Sequence, residues 1–290
     1  MSDVLQELVE LLSLEKIEEN LFRGQSQDLG WGTVYGGQVL GQALSAAVQT
    51  VPDDRHVHSL HSYFLRPGDV DRPIVYDVDR IRDGGSFTTR RVVAIQKGRP
   101  IFNMSASFQI EEEGFSHQAE APDVADPAGL MTDRERISKF VDGLPEPMQK
   151  LAMAERPFEI RPVDPIEDPV SPDKGEPRHS HWIKTSGELS DNQSLQRFLL
   201  AYASDFEFLI TSLRPHGVTW LTPGMQVASV DHAMWFHRPF RVDEWLLHSI
   251  DSPSASGGRG FVRGNIFDSD GNLVASTSQE GLIRERDTDQ

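Results

Sequence analysis

Two stretches of the chain carry apolar residues at helical spacing, and each is followed by stretches that alternate. The first helical stretch runs from Gly37 to Val51, with Val39, Leu40, Ala43, Leu44, Ala47, Val48 and Val51 on one side. Its small residues Gly41, Ala43, Ala46 and Ala47 permit close wrapping by a sheet. The second runs from Gln193 to Leu213, with Leu195, Phe198, Leu199, Tyr202, Phe206, Leu209 and Leu213, and Arg214-Pro215 stops it. After the first helix the pattern predicts strands over His58–Leu65, Ile74–Arg82, Ser86–Gln96 and Pro100–Ile110. After the second it predicts strands over Gln226–His237, Glu244–Ser252, Gly260–Asp268 and Leu273–Ile283. In each half the first strand ends in Arg-Pro, at Arg66-Pro67 and at Arg238-Pro239. Asn103-Met104-Ser105-Ala106-Ser107-Phe108-Gln109 is echoed by Val274-Ala275-Ser276-Thr277-Ser278-Gln279. The chain therefore reads as a duplicated α+β unit, each half a long helix covering one face of an antiparallel sheet.

Between the halves the chain turns acidic and rich in proline, as in Arg161-Pro162-Val163-Asp164-Pro165-Ile166-Glu167-Asp168-Pro169. The division expected is an N-terminal unit at 1–111, a connection at 112–156 holding a short helix near Asp133–Phe140, and a C-terminal unit at 157–290. Trp182-Ile183-Lys184 is expected to be a strand opening the second unit.

Composition narrows the chemistry. The 290 residues are 38% hydrophobic and 25% charged, which fits a folded globular chain. No run of 18 apolar residues is present, so no membrane insertion is expected. The first residues carry acid and no apolar core of a leader, which makes the cytoplasm the default expectation. There is no cysteine, which excludes a disulfide framework, a thiolate metal site and a cysteine nucleophile. The net charge of −17 repels nucleic acid, so no nucleic-acid partner is expected.

Asp205 is the most informative residue. At ~100° per residue it lies within about 60° of Phe198, Tyr202 and Leu209 on the second helix, in the stripe expected to face the sheet. Gln196 and Glu207 are expected to point away. A carboxylate in that stripe must be hydrogen-bonded or shifted in pKa. Two readings stand: a structural acid paired with a buried polar group, or a general base in a pocket between helix and sheet. Ser229 and Gln279 lie on predicted strands, Gln279 on the face of Ala275 and Thr277.

Several longer segments carry a resemblance. They are Ala201-Tyr202-Ala203-Ser204-Asp205, then Ser229-Val230-Asp231-His232-Ala233-Met234-Trp235-Phe236-His237-Arg238-Pro239-Phe240, then Arg259-Gly260-Phe261-Val262-Arg263-Gly264, then Ala275-Ser276-Thr277-Ser278-Gln279-Glu280-Gly281. In the first half Gly36-Gly37-Gln38-Val39-Leu40-Gly41-Gln42-Ala43 and His58-Ser59-Leu60-His61-Ser62-Tyr63-Phe64-Leu65-Arg66-Pro67-Gly68 belong with them. Together they resemble the acyl-CoA thioesterase II family, over nearly the whole chain and most weakly near 112–159. The resemblance implies a double hot-dog fold, hydrolysis of medium- or long-chain acyl-CoA, and a catalytic set at Asp205, Ser229 and Gln279 that holds the attacking water. It implies no cofactor, acyl-CoA as the partner, and assembly into a dimer or tetramer. Two competing activities, a hot-dog enoyl-CoA hydratase or dehydratase and a non-catalytic acyl-CoA binder, differ in whether thiol is released.

Other signals carry less. His58 is a secondary candidate for a pocket base. His56 and His58 are expected on one strand face and His61 on the other, a poor arrangement for metal, and no metal site is expected. Gly30-Trp31-Gly32-Thr33-Val34-Tyr35 is not a dinucleotide fingerprint, because Tyr35 holds its sixth position. Arg66, Arg90, Arg91, Arg259 and Arg263 are candidate phosphate contacts, each more readily read as a solvated surface arginine. Val34–Gln38 lines up with Ala201–Asp205, so Gln38 is expected where the second half has its acid.

Overall fold

The computed structural model describes residues 2–141, 149, 153–169 and 171–286. Part of the expected connection at 112–156 therefore lies outside the described residues. The first-half strands are β1 (Glu15–Glu18), β2 (Leu21–Gly24), β3 (His56–Phe64), β4 (Ile74–Asp83), β5 (Phe87–Gln96) and β6 (Arg99–Gln109). The second-half strands are β7 (Phe158–Pro162), β8 (Arg178–Thr185), β9 (Met225–Ser229), β10 (Asp231–Phe236), β11 (Leu246–Ser256), β12 (Arg259–Asp268) and β13 (Leu273–Glu285). They join one antiparallel sheet in the order β1-β2-β4-β5-β6-β3-β10-β13-β12-β11-β8-β7, with β9 paired to β13 off that path. The run β2-β4-β5-β6-β3 is mirrored by β8-β11-β12-β13-β10, so the duplication heard in the sequence is a duplication of topology. The halves meet where Tyr63 to Ser59 of β3 pair with Asp231 to Trp235 of β10.

The helices are α1 (Asp3–Leu12), α2 (Gly36–Val48), α3 (Asp133–Ile137), α4 (Gln193–Ala203) and α5 (Ile210–Leu213). Helix α2 packs on β4, β5 and β6, and α5 packs on β11 and β12. Each half is thus a helix wrapped by an antiparallel sheet, and the whole is a double hot-dog. Helices α2 and α4 also touch each other, because Gly41 leaves room: a Cβ there would stand 3.1 Å from the Phe198 carbonyl. Helix α4 starts where the Asn192 side chain accepts the N–H groups of Ser194 and Leu195. Leu40, Ala43, Leu44, Leu60, Met104, Leu199, Leu200 and Met234 are buried in one core that spans both halves.

Four expectations are corrected. The second helix is not continuous to Leu213: α4 ends at Ala203 and a turn separates it from α5. Glu207 in that turn has φ 55, a left-handed conformation that a helix cannot pass through. Gln196 does not point to solvent but is fully buried, its amide bonded to the Ser190 carbonyl and the Val242 N–H. The strand expected over Gln226–His237 is two strands broken at Val230. His61 does not face away from His56: a bulge between Val57 and Ser59 resets the alternation, leaving His56 and His61 exposed with Leu60 and Ser62 buried.

Candidate active site

Two of these breaks build the site. Strand β13 is longer than its neighbours. It pairs with β10 through Ser278↔Ala233 and with β9 from Gly281↔Ser229 onward. One residue too many lies between those pairs on the β9–β10 side, and Gln279 falls in the gap. The kink is pinned by Val230 N–H to the Glu280 carbonyl at 2.9 Å and Glu280 N–H to the Asp231 carboxylate at 2.6 Å. Opposite it, the end of α4 delivers Asp205.

The structure brings Asp205, Ser229 and Gln279 together. Ser229 Oγ donates to Asp205 Oδ1 at 3.2 Å, and Gln279 Nε2 lies 3.1 Å from Asp205 Oδ1 and 2.7 Å from Ser229 Oγ. The second oxygen of Asp205 rests on the start of α2, where a Cβ on Gly36 would come within 2.6 Å of it. The Gly37 N–H donates to the carboxylate. Burial pushes the Asp205 carboxyl from its usual 3.8 up to about 6, against the hydrogen bonds from Gln279, Ser229 and Gly37 that favour the charged form. At pH 7 the group is an ionised base with weakened solvation. Tyr35, beside it, is pushed well above its ordinary range by burial and by the Asp205 charge, so it stays a neutral phenol.

Asp205, Ser229 and Gln279 line a cavity of about 1540 Å³ whose other walls include Val39, Phe64, Phe102, Phe206, Leu209 and Leu221. Trp31 and Trp220 are half-exposed at the same cavity. The loop bearing Trp31 is tied down by Asp28, whose Oδ1 accepts the N–H groups of Gly30, Trp31 and Gly32 at 2.7, 3.0 and 3.1 Å. That fold of the loop explains its glycines, of which Gly30 and Gly32 have positive φ.

His58 is elsewhere. Its Nε2 is hydrogen-bonded to Ser107 Oγ at 2.9 Å, its ring meets Phe87 edge-on, and it does not line the cavity. Gln38 does not occupy the place of Asp205 either. Residues 34–38 open helix α2, whereas 201–205 close α4. Gln38 is buried and bonded to Gln25 and Gln27 of the preceding loop.

The arginines also separate. Arg90 is not a solvated surface residue: it is fully buried and bonded to Thr50 and, at 2.6 Å, to Asp83. Arg91, Arg259 and Arg263 are paired with Asp79, Glu280 and Asp251. Arg66 lines the cavity, its guanidinium on the Pro100 carbonyl at 2.6 Å.

A charged group that sequence reasoning missed lies on another wall. His179 on β8 stands between Asp164 at 3.2 Å and Glu207 at 3.6 Å. Burial alone would discharge it, but the two carboxylates outweigh burial and raise it to about 9. Its partner His181, buried and beside that charge, is lowered to about 4. His179, His181 and Glu207 each bring a ligand atom within 4.8 Å of the others, near enough for a metal cluster that the sequence did not lead one to expect. His179 and His181 stand two residues apart on β8, but Glu207 joins them from the turn after α4, and no local pattern links the strand to that turn.

The comparisons with known proteins agree with this architecture. A model of the acyl-CoA thioesterase family matches residues 148–282, and one of the acyl-CoA thioesterase N-terminal domain matches residues 26–109. Acyl-CoA thioesterase 2 of Haemophilus influenzae is 48% identical over 98% of this chain and 99% of its own length. Human acyl-coenzyme A thioesterase 8 is 40% identical over 94% of this chain and 88% of its own length. Among solved structures, an acyl-CoA thioesterase II from Mycobacterium marinum is 41% identical, with a TM-score of 0.78 over 96% of this chain and 98% of that one.

Proposed function

From the premise that this chain belongs to the acyl-CoA thioesterase family and is a hydrolase of acyl-CoA thioesters, we propose that Asp205 is its general base and that Ser229 and Gln279 orient the attacking water. The observation that carries this is the convergence of the three side chains, within 2.7–3.2 Å of one another, at the wall of a large apolar cavity. Asp205 takes a proton from the water as its oxygen attacks the thioester carbonyl. The tetrahedral intermediate collapses with cleavage of the C–S bond, and the thiolate of CoA leaves. An ordinary thiol has a pKa of about 8.5, so the leaving group needs no strong acid. The proton taken by Asp205 returns to solvent or to the thiolate, and the products are the free acid and CoA. Base catalysis of this kind supplies typically ~10²–10⁴-fold, and fixing the water adds the advantage of orientation.

The size and lining of the cavity support medium- and long-chain acyl groups as substrates. At about 1540 Å³ it exceeds the ~300–1,000 Å³ of ordinary small-ligand pockets. The same reading includes a dimer or tetramer acting in the cytoplasm, and a division of the chain into units 1–111 and 157–290, open to light scattering, fractionation and limited proteolysis respectively. Among the described residues no helix is long and apolar enough to cross a membrane.

The test follows released thiol with a chromogenic disulfide across a series of acyl chain lengths. The protein has no cysteine, so only CoA reports. Release that peaks at medium or long chains in the parent and falls at least ~10²-fold in Asp205→Asn is expected. Undiminished release in Asp205→Asn would remove Asp205 from its role. A hydratase reading would need a histidine at the acid, but His232, the nearest to the set, is held behind Gln279 and does not line the cavity.

A further inference from the structure

The catalytic reading above leaves Gln279 with an unexplained requirement. For Nε2 to face Asp205 and Ser229, the amide must not rotate by half a turn, which would aim Oε1 at a carboxylate. On its far side Oε1 stands 2.6 Å from Nδ1 of His232. His232 is on β10, next to the kink, and is fully buried. Its Nε2 lies 3.0 Å from Oγ of Ser204, the residue before Asp205.

We infer that His232 is a positioning residue: its Nδ1–H holds the Gln279 amide in the one orientation that presents Nε2 to Asp205 and Ser229. The inference rests on the role proposed for Gln279 and extends it. An amide oxygen can only accept, so the proton between Gln279 and His232 is on Nδ1. Burial lowers the ring to about 4, so it is neutral and carries one N–H. Nε2 is then bare and accepts from the Ser204 hydroxyl, which turns to it from the Ala201 carbonyl at 2.9 Å, its alternative acceptor. Asp205, Gln279, His232 and Ser204 form a chain of three hydrogen bonds whose two ends, Ser204 and Asp205, are neighbours in the backbone. The end of α4, the kinked β10 and β13 are thereby tied through one imidazole. A neutral imidazole alone in water prefers the other tautomer, so Nδ1–H is a distinctive mark of this chain of bonds.

The experiment has two arms. In the first, ¹⁵N NMR of the imidazoles in the intact protein at pH 7 reads the His232 tautomer directly, and Nδ1–H is expected. An Nε2–H tautomer overturns the inference. In the second, His232→Phe keeps a flat ring without the donor, and His232→Asn restores an N–H near the position of Nδ1. Phe is expected to lower kcat ~10–10²-fold with KM changed less than about threefold, and Asn to recover most of that loss. Parental kcat in the Phe variant, or an Asn variant no better than Phe at the same melting temperature, overturns it as well. Should both variants fail to fold, the tautomer in the parent still decides. Gln279→Ala separates this inference from the reading beneath it. Parental turnover in Gln279→Ala removes the catalytic role of Gln279 and the positioning role together, whereas an inactive Gln279→Ala beside an Nε2–H tautomer removes only the role of His232.

Discussion

Replacing Asp205 by Asn should stabilise the protein while it stops the reaction. The folded protein raises this carboxyl from 3.8 to about 6. The charged form is therefore disfavoured by folding, and two pKa units correspond to ~3 kcal/mol of stability forgone at pH 7. The sign follows from proton binding. Between the two values the folded chain holds more proton than the unfolded one, so this group's contribution is complete below pH ~4 and lost as pH rises through 6. Asn carries no charge and escapes the loss. It still offers one oxygen to Gln279 and Ser229, but its NH₂ cannot accept from the Gly37 N–H as a carboxylate oxygen does, at about 1 kcal/mol. The net gain expected at pH 7 is ~2 kcal/mol, or roughly 3–6 °C in melting temperature. The assay is paired thermal or urea unfolding of parent and variant from pH 5 to pH 8. Comparing the two cancels every other titrating group, and the gap should widen by about 1.3 kcal/mol between pH 5 and pH 7. A variant that melts no higher than the parent, with a gap independent of pH, would refute the claim that Asp205 is a desolvated base.

The same carboxyl should appear as an acid limb in kcat/KM near pH 6, activity falling as pH drops through it, and a profile flat down to pH 4.5 would contradict this. Gly37→Ala should cost ~1–3 kcal/mol or more, because a Cβ there collides with the Tyr202 carbonyl, a backbone atom that cannot step aside; unfolding would show it. Arg90→Met should lose about 2–4 kcal/mol without changing KM, since the guanidinium bonds Thr50 and Asp83 away from the cavity. Gln38→Ala should keep turnover within tenfold of the parent while losing ~1–3 kcal/mol by unpairing the loop groups at Gln25 and Gln27; turnover as poor as in Asp205→Ala would place Gln38 in the reaction.

What the sequence disclosed and what it hid have physical causes. Long strands and two apolar helices were legible because burial of one face writes its period into the residues, as at Ala275, Thr277 and Gln279 on β13. The turn after Ala203 was not, because Phe206, Leu209 and Leu213 keep helical spacing on paper while Glu207 turns left-handed in space. The kink at Val230 was hidden likewise, since apolar residues continue across it and only the pairing of β13 with two partners exposes it. Asp205 drew attention by its place among apolar neighbours. Its association with Ser229 and Gln279 rested on resemblance, because 24 and 74 residues separate the partners in the chain. His232 lay inside a segment that carries the resemblance but gave no signal of its own: a single strand histidine acquires meaning only when the amide it faces is known.

The seam between β3 and β10 has a consequence for how such a chain can be divided. Each half, taken alone, would present a central strand as a bare edge, with those N–H and C=O groups of residues 59–63 or 231–235 that point across the seam unpaired. The Phe64 N–H that meets the Val230 carbonyl across this seam belongs to one half, and the kink it steadies belongs to the other. A protein nicked within residues 112–126, where the chain runs without helix or strand, should therefore stay together and working, each fragment acting as the other's missing strand. The same fragments made separately should stick to themselves until mixed, and restoration of thiol release on mixing would measure how much of the enzyme the tether supplies.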